Sequence, residues 1–169
     1  IAEESSATSE ELSAESISLN ELVQQVNGEF AERFESRNLD LICILQPEPL
    51  LICVDSRRIW RVLENLYVNV CKYAMPGTRV YVDAIRKDGK IQFSIKNISE
   101  NALNCEADEL TERFIRGDVS RSTEGSGLGL SIAKNLTVLQ QGTFDIYLDG
   151  DLFKVTITFD EVVKEKKPE

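Results

Sequence analysis

The 169-residue chain contains no histidine, four cysteines, one methionine and one tryptophan. Without histidine, and with Cys43, Cys53, Cys71 and Cys105 scattered through apolar or helical stretches at no metal-ligand spacing, a structural zinc site is excluded. The cysteines are expected to be reduced core residues of a cytoplasmic protein. No apolar run approaches the ~20 residues needed to cross a bilayer, so no membrane contact is expected. The net charge of −10 has the wrong sign for a nucleic-acid backbone, and any small anion would need a local basic pocket. Internal repeats are absent. The N-terminus lacks the basic-then-apolar order of a signal peptide and begins at Ile1, so the chain is expected to be a piece of a larger protein.

What is present reads as one globular domain, 42% hydrophobic and 28% charged. Residues 1–16, rich in Ser, Glu and Ala, look like a solvated linker, and residues 161–169 like a charged tail. Leu22, Val26, Phe30 and Phe34 recur every four residues, the stripe of one helix. "LDLICIL" and "LLICV" read as short buried strands separated by the prolines of "QPEP". A second helix is expected from near Asp55 to about Ala74, stopped by Pro76 and Gly77. "RVYVDAIRKDGKIQFSIKN" predicts a hairpin turning at Asp88-Gly89, and "TFDIYLDGDLFKVTITF" one turning at Asp149-Gly150. Between them, after an aperiodic stretch, comes a glycine-headed helix with Leu128, Ile132, Leu136 and Leu139 at helical spacing. The order β, α, β, β, α, β, β, loop, α, β, β predicts an α/β two-layer sandwich: a mixed, mostly antiparallel sheet with helices on one face.

Two features bear chemistry. In "EGSGLGLSIAKNL", Gly125, Gly127 and Gly129 occupy alternate positions at a helix head, although each weakens the helix start by roughly 1 kcal/mol relative to alanine. A helix N-terminus offers unpaired N–H groups and partial positive charge, and residues without side chains let an anion approach them. A tight turn would need only one such glycine. In the second helix Ile59, Val62, Leu63, Leu66 and Val70 form a core stripe, while Asn65, Asn69, Lys72 and Tyr73 share a neighbouring sector. Taken alone, that cluster also fits a polar flank with a snorkelling lysine. Beside a phosphate-binding helix head it fits a nucleotide: amide oxygens suit Mg²⁺, the lysine suits phosphate, and the tyrosine offers its ring to a base.

On these residues the chain resembles a known family. "LENLYVNVCKYA" resembles the N box, "LTERFIRGDVSR" the F box and "EGSGLGLSIAKNL" the second glycine box of sensor histidine kinases, in the superfamily that also holds gyrase, the Hsp90 chaperones and MutL. The resemblance implies an ATP-binding catalytic domain with the Bergerat fold over residues 17–160, using ATP and Mg²⁺. It implies Asn69 as the Mg²⁺ ligand with Asn65 supporting the metal or its waters, Lys72 at the phosphates and Tyr73 on the adenine. Phe114 would anchor a lid, with Arg116, and more weakly Arg121, beside the phosphates. Gly125, Ser126, Gly127, Leu128 and Gly129 would form the phosphate cradle. The chain departs from the family after the second strand of the first hairpin, where Asp-x-Gly-x-Gly is replaced by "NISEN". Asn97 stands where the adenine-reading aspartate is expected, and its amide would bind without charge assistance.

The resemblance also bears on reaction type. Hydrolytic relatives carry a glutamate one helical turn before the Mg²⁺ asparagine, where this chain has Asn65; Glu64 lies roughly 140° around the helix from Asn69. Slow water attack is therefore expected. With no histidine, the acceptor is expected in a histidine-bearing dimerisation domain of the same full-length protein, with a response regulator downstream; whether the full-length protein is anchored in a membrane is left open by this sequence. A serine kinase of the anti-sigma-factor type, and a degenerate nucleotide sensor or interaction module, are the alternative functions.

Overall fold

A computed structural model describes residues 13–101 and 128–162. Helix α1 (Leu19–Ser36) begins where Ser18 accepts the Glu21 N–H on its hydroxyl, and it buries Leu22, Val26, Phe30 and Phe34 as their spacing predicts. Helix α2 (Ser56–Tyr73) is capped by Asp55, whose Oδ1 accepts from the N–H groups of Arg57 at 3.0 Å and Arg58 at 3.1 Å. It buries Ile59, Val62, Leu63, Leu66 and Val70, and it also buries Tyr67. The Tyr67 ring stacks on Phe34 of α1, with centroids 5.8 Å apart, and its hydroxyl donates to Asn27. α2 ends at Ala74, two residues before Pro76, and Gly77 takes the left-handed φ of 85° that turns the chain into the sheet.

The main sheet runs β2 (Asp40–Leu45), β4 (Arg79–Lys87), β5 (Lys90–Ile98), β7 (Leu152–Asp160), β6 (Thr143–Asp149) in space. Among the described strands only the β2–β4 pair is parallel, so the sheet is mixed and mostly antiparallel, as expected. Val80, Val82 and Ala84 on β4, Ile91, Phe93 and Ile95 on β5, and Val155 and Ile157 on β7 alternate into one buried face against the helices. In the first hairpin Asp88 and Gly89 both have positive φ, 55° and 76°, between the paired Lys87 and Lys90. In the second, Asp149 pairs with Leu152, so the two-residue turn is Gly150-Asp151, in the region expected; Gly150 supplies the left-handed φ of 63° at its first position.

Four local expectations need correction. Residues 161 and 162, expected in a tail, continue the domain: Glu161 N donates to Gly89 O and Val162 N to Leu51 O, and the Glu161 carboxylate pairs with Arg86. Residues 14–16, expected in a linker, belong to strand β1 (Ala14–Ser18), which pairs antiparallel with β3 (Leu51–Asp55) in a separate two-stranded sheet. The partner strand lies far along the chain, beyond α1 and β2 and out of reach of local composition. The cysteines are not uniformly core residues: Cys53 is exposed because it alternates outward between the inward Ile52 and Val54, while Cys43 and Cys71 are half-buried and Cys105 lies outside the described residues. Helix α3 (Leu128–Leu139) turns inward on Leu130, Ala133 and Thr137, with Ile132, Leu136 and Leu139 only partly covered. Among the described residues no helix is long and apolar enough to cross a membrane.

Candidate functional site

The polar sector of α2 forms as the helical spacing requires. Asn65 and Asn69 are half-buried beside the core stripe, Tyr73 is half-buried, and Lys72 reaches solvent in the last turn. A cation there also favours the negative end of the α2 dipole. Glu64 is exposed, consistent with its different sector of the helix.

α3 is locked across α2 in an antiparallel sense by contacts at its two ends. At its C-terminal end the buried Gln140 accepts the Asp55 N–H on Oε1 at 2.7 Å, joining the end of α3 to the beginning of α2. At its head, a Cβ placed on Gly129 would lie 3.8 Å from Asn65 Oδ1 and 3.9 Å from the Asn65 carbonyl oxygen. The N-terminus of α3 is therefore directed along α2 towards the turn holding Asn69, Lys72 and Tyr73. The positive end of the α3 dipole and Lys72 therefore lie towards the same end of α2. At this junction Asn65 Nδ2 is buried with no hydrogen-bond partner among the described residues. An orphaned amide donor costs about 1–3 kcal/mol and is satisfied if a phosphate oxygen or a water enters.

The other end of the site is fixed by main-chain hydrogen bonds between α2 and β5. Met75 N donates to Ile98 O and Glu100 N to Tyr73 O, each at 2.8 Å, on either side of a bridge between Ala74 and Ser99. Arg37 closes the α2 C-terminus, donating from Nε to Cys71 O and from Nη2 to Ala74 O, both at 2.7 Å. Asn97 follows Ile91, Phe93 and Ile95 on the helix-covered face of β5 and is 3% exposed. Its side-chain amide makes no hydrogen bond among the described residues, so a polar group with two donors and an acceptor ends an otherwise apolar row beside the exit of α2.

The structure therefore sets Asn65 against Gly129 at the head of α3, with Asn69, Lys72 and Tyr73 further along the same helix and Asn97 on β5 beside the end of that helix. Phe114, Arg116, Arg121, Gly125, Ser126 and Gly127 lie outside the described residues. The donor set suits a hard cation through amide oxygens, while no cluster of three or more acidic, cysteine or histidine ligands occurs among the described residues. A groove of about 970 Å³ between α1, β2 and β4, lined by Asn27, Glu35, Asp40, Arg79 and Tyr81 among others, contains none of these residues. Local patterns gave no sign of Gln140 or Arg37. The first acts across 85 residues of sequence and the second across 34 and 37, so only tertiary structure reveals them.

The carboxyl of Asp55 is the titrating group that joins these helices. Burial alone would raise its pKa, but the N–H groups of Ser13, Arg58 and Arg57 and the Arg58 guanidinium, 2.7 Å away, together hold it below the ordinary carboxylate range.

Comparison with known proteins shows the family of the chain. Residues 54–163 match the family model described as histidine kinase-, DNA gyrase B-, and HSP90-like ATPase. The chain is 30% identical over 128 residues to the signal transduction histidine-protein kinase BaeS of Escherichia coli, covering 75% of this chain and 27% of BaeS. It is 32% identical over 133 residues to the sensor protein VanSC of Enterococcus gallinarum, covering 78% of this chain and 36% of VanSC. The chain thus spans roughly a third or less of the length of these relatives. In fold it resembles the catalytic domain of the histidine kinase ThkA, with a TM-score of 0.76 at 23% identity over 88% of this chain and 96% of that one. It also resembles full-length ShkA in complex with AMPPNP, with a TM-score of 0.75 at 21% identity over 92% of this chain and 33% of that one.

Proposed function

Since the chain belongs to the histidine kinase-, DNA gyrase B-, and HSP90-like ATPase family, we propose that it is the ATP-binding catalytic domain of a two-component sensor histidine kinase, working in the cytoplasm. The observation that carries this reading is the antiparallel lock of α3 on α2, which directs a glycine-bearing helix head towards Asn69, Lys72 and Tyr73. Backbone N–H groups at that head and the Lys72 ammonium hold the phosphates. Asn69 holds Mg²⁺ through its amide oxygen and Asn65 supports it, with Nδ2 free to donate to a phosphate oxygen or a water. Tyr73 packs on the base and Asn97 meets its edge. When bound, Mg²⁺ neutralises charge on the phosphates. Phe114, Arg116, Arg121, Gly125, Ser126 and Gly127 complete the lid and cradle.

The described part of the site contains orienting groups and no base for water. Asn65 occupies the position one turn before Asn69, and Glu64 faces solvent. The nucleophile is then an imidazole brought by a dimerisation domain of the same full-length protein, since this chain has no histidine. A response regulator receives the phosphoryl group. Positioning and charge stabilisation supply the catalysis. The test is phosphoryl transfer from Mg·ATP to a histidine-bearing dimerisation domain added in trans. Label on that domain's histidine that is lost with Asn69→Ala is the expected result. Nucleotide binding without transfer to any histidine would overturn the kinase assignment and favour a nucleotide sensor.

A further inference from the structure

We propose that Asn97 makes the base site tolerant of 6-keto purines, so that this domain binds guanine- or hypoxanthine-type nucleotides as well as adenine nucleotides. The inference rests on the nucleotide-binding reading above. Asn97 is 3% exposed, stands at the end of the buried β5 row, and is held beside the α2 exit by the Met75–Ile98 and Glu100–Tyr73 hydrogen bonds. Its neighbours in that row, Ile91, Phe93 and Ile95, carry no polar side-chain atoms. No hydrogen bond among the described residues dictates which of its Oδ1 and Nδ2 stands in which place.

A purine presents two complementary patterns along its 6-position edge. With a 6-amino group the base donates at N6 and accepts at N1; with a 6-keto group it accepts at O6 and donates at N1. An amide of fixed position matches the first pattern by accepting on Oδ1 and donating from Nδ2. It matches the second after a half-turn about χ2, with donor and acceptor exchanged. A carboxylate cannot make that exchange, because it only accepts and would set a negative oxygen against O6. An amide locked by an internal hydrogen bond could not make it either. The unpinned amide at this buried position is therefore the feature that permits both bases.

Calorimetric titration of the chain with Mg·ADP and Mg·IDP tests the proposal, since IDP carries the 6-keto group without the extra 2-amino group of guanine. In the parent, the two dissociation constants are expected to lie within about tenfold of each other. Asn97→Asp is expected to tighten ADP and weaken IDP, widening the ratio by at least about tenfold. Asn97→Ala, which keeps the site without a buried charge, is expected to weaken both by similar factors. A parent that prefers ADP by more than about a hundredfold, or an unchanged ADP:IDP ratio in a folded Asn97→Asp variant, would overturn the inference while leaving the nucleotide-binding reading intact. Should Asn97→Asp melt below the titration temperature, unequal losses of ADP and IDP in Asn97→Ala would overturn it instead. Failure of the parent to bind either nucleotide would overturn both readings.

Discussion

Asp55 joins three parts of the domain through one buried carboxylate. It caps α2, accepts the Ser13 N–H at 2.8 Å ahead of β1, and pairs with Arg58, while its own N–H is held by Gln140. Its pKa is lowered in the folded state, so the folded state binds its proton less readily than the unfolded chain does. The resulting stability is fully present above the unfolded value of roughly 3.9 and is lost as pH falls through the lower folded value. An asparagine side chain at this position would keep a neutral cap, so Asp55→Asn should cost about 1–2 kcal/mol at neutral pH. That difference should shrink towards zero in denaturant titrations below about pH 4. A difference that stayed constant down to about pH 3 would show that the charge contributes nothing. Gln140 makes a separable contribution. Gln140→Leu leaves the buried Asp55 N–H without an acceptor and should lower stability by about 1–3 kcal/mol at every pH, which parallel urea titrations would read.

Among the elements, α1, α2 and both hairpins were legible because their signals are local: four-residue apolar steps, an Asp cap, Asp-Gly or Gly-Asp turns with left-handed φ. α3 was legible as a helix but not in its orientation. Leu128, Leu130, Ile132, Ala133, Leu136, Val138 and Leu139 surround it with apolar residues, so spacing alone does not choose a buried face. The choice is made by contact with α2, which turns Leu130, Ala133 and Thr137 inward and leaves Val138 54% exposed. The leading strand of the expected order is β1, but residues 14–16 read as linker for a similar reason, since its pairing with β3 is non-local. The same contact gives Gly129 a testable meaning. A Cβ there would make only ordinary contact with Asn65, and alanine favours a helix by about 1 kcal/mol over glycine. Gly129→Ala should therefore leave the ligand-free melting temperature unchanged or up to about 5 °C higher. Affinity for Mg·ATP should nevertheless fall about tenfold, with adenosine affected less. A variant that unfolds, or binds Mg·ATP as well as the parent, would show that the glycine serves packing instead.

At the scale of the whole molecule, one sheet face carries the core while the helices on it are held in fixed register by a few polar links. Gln140 sets α3 against the start of α2, Arg37 closes its end, and the Ala74–Ser99 bridge ties that end to β5. The candidate residues were legible as a pattern on one helix, whereas their convergence with Asn97 and the head of α3 depends on these long-range links. The central claim is that this convergence holds the phosphates of Mg·ATP, and calorimetric titration of the parent beside Asn69→Ala tests it most directly. Saturable one-to-one binding with a dissociation constant below about 1 mM, weakened at least tenfold in a variant that melts like the parent, is the predicted result. No saturable binding by the parent, or equal affinity in Asn69→Ala, would contradict it.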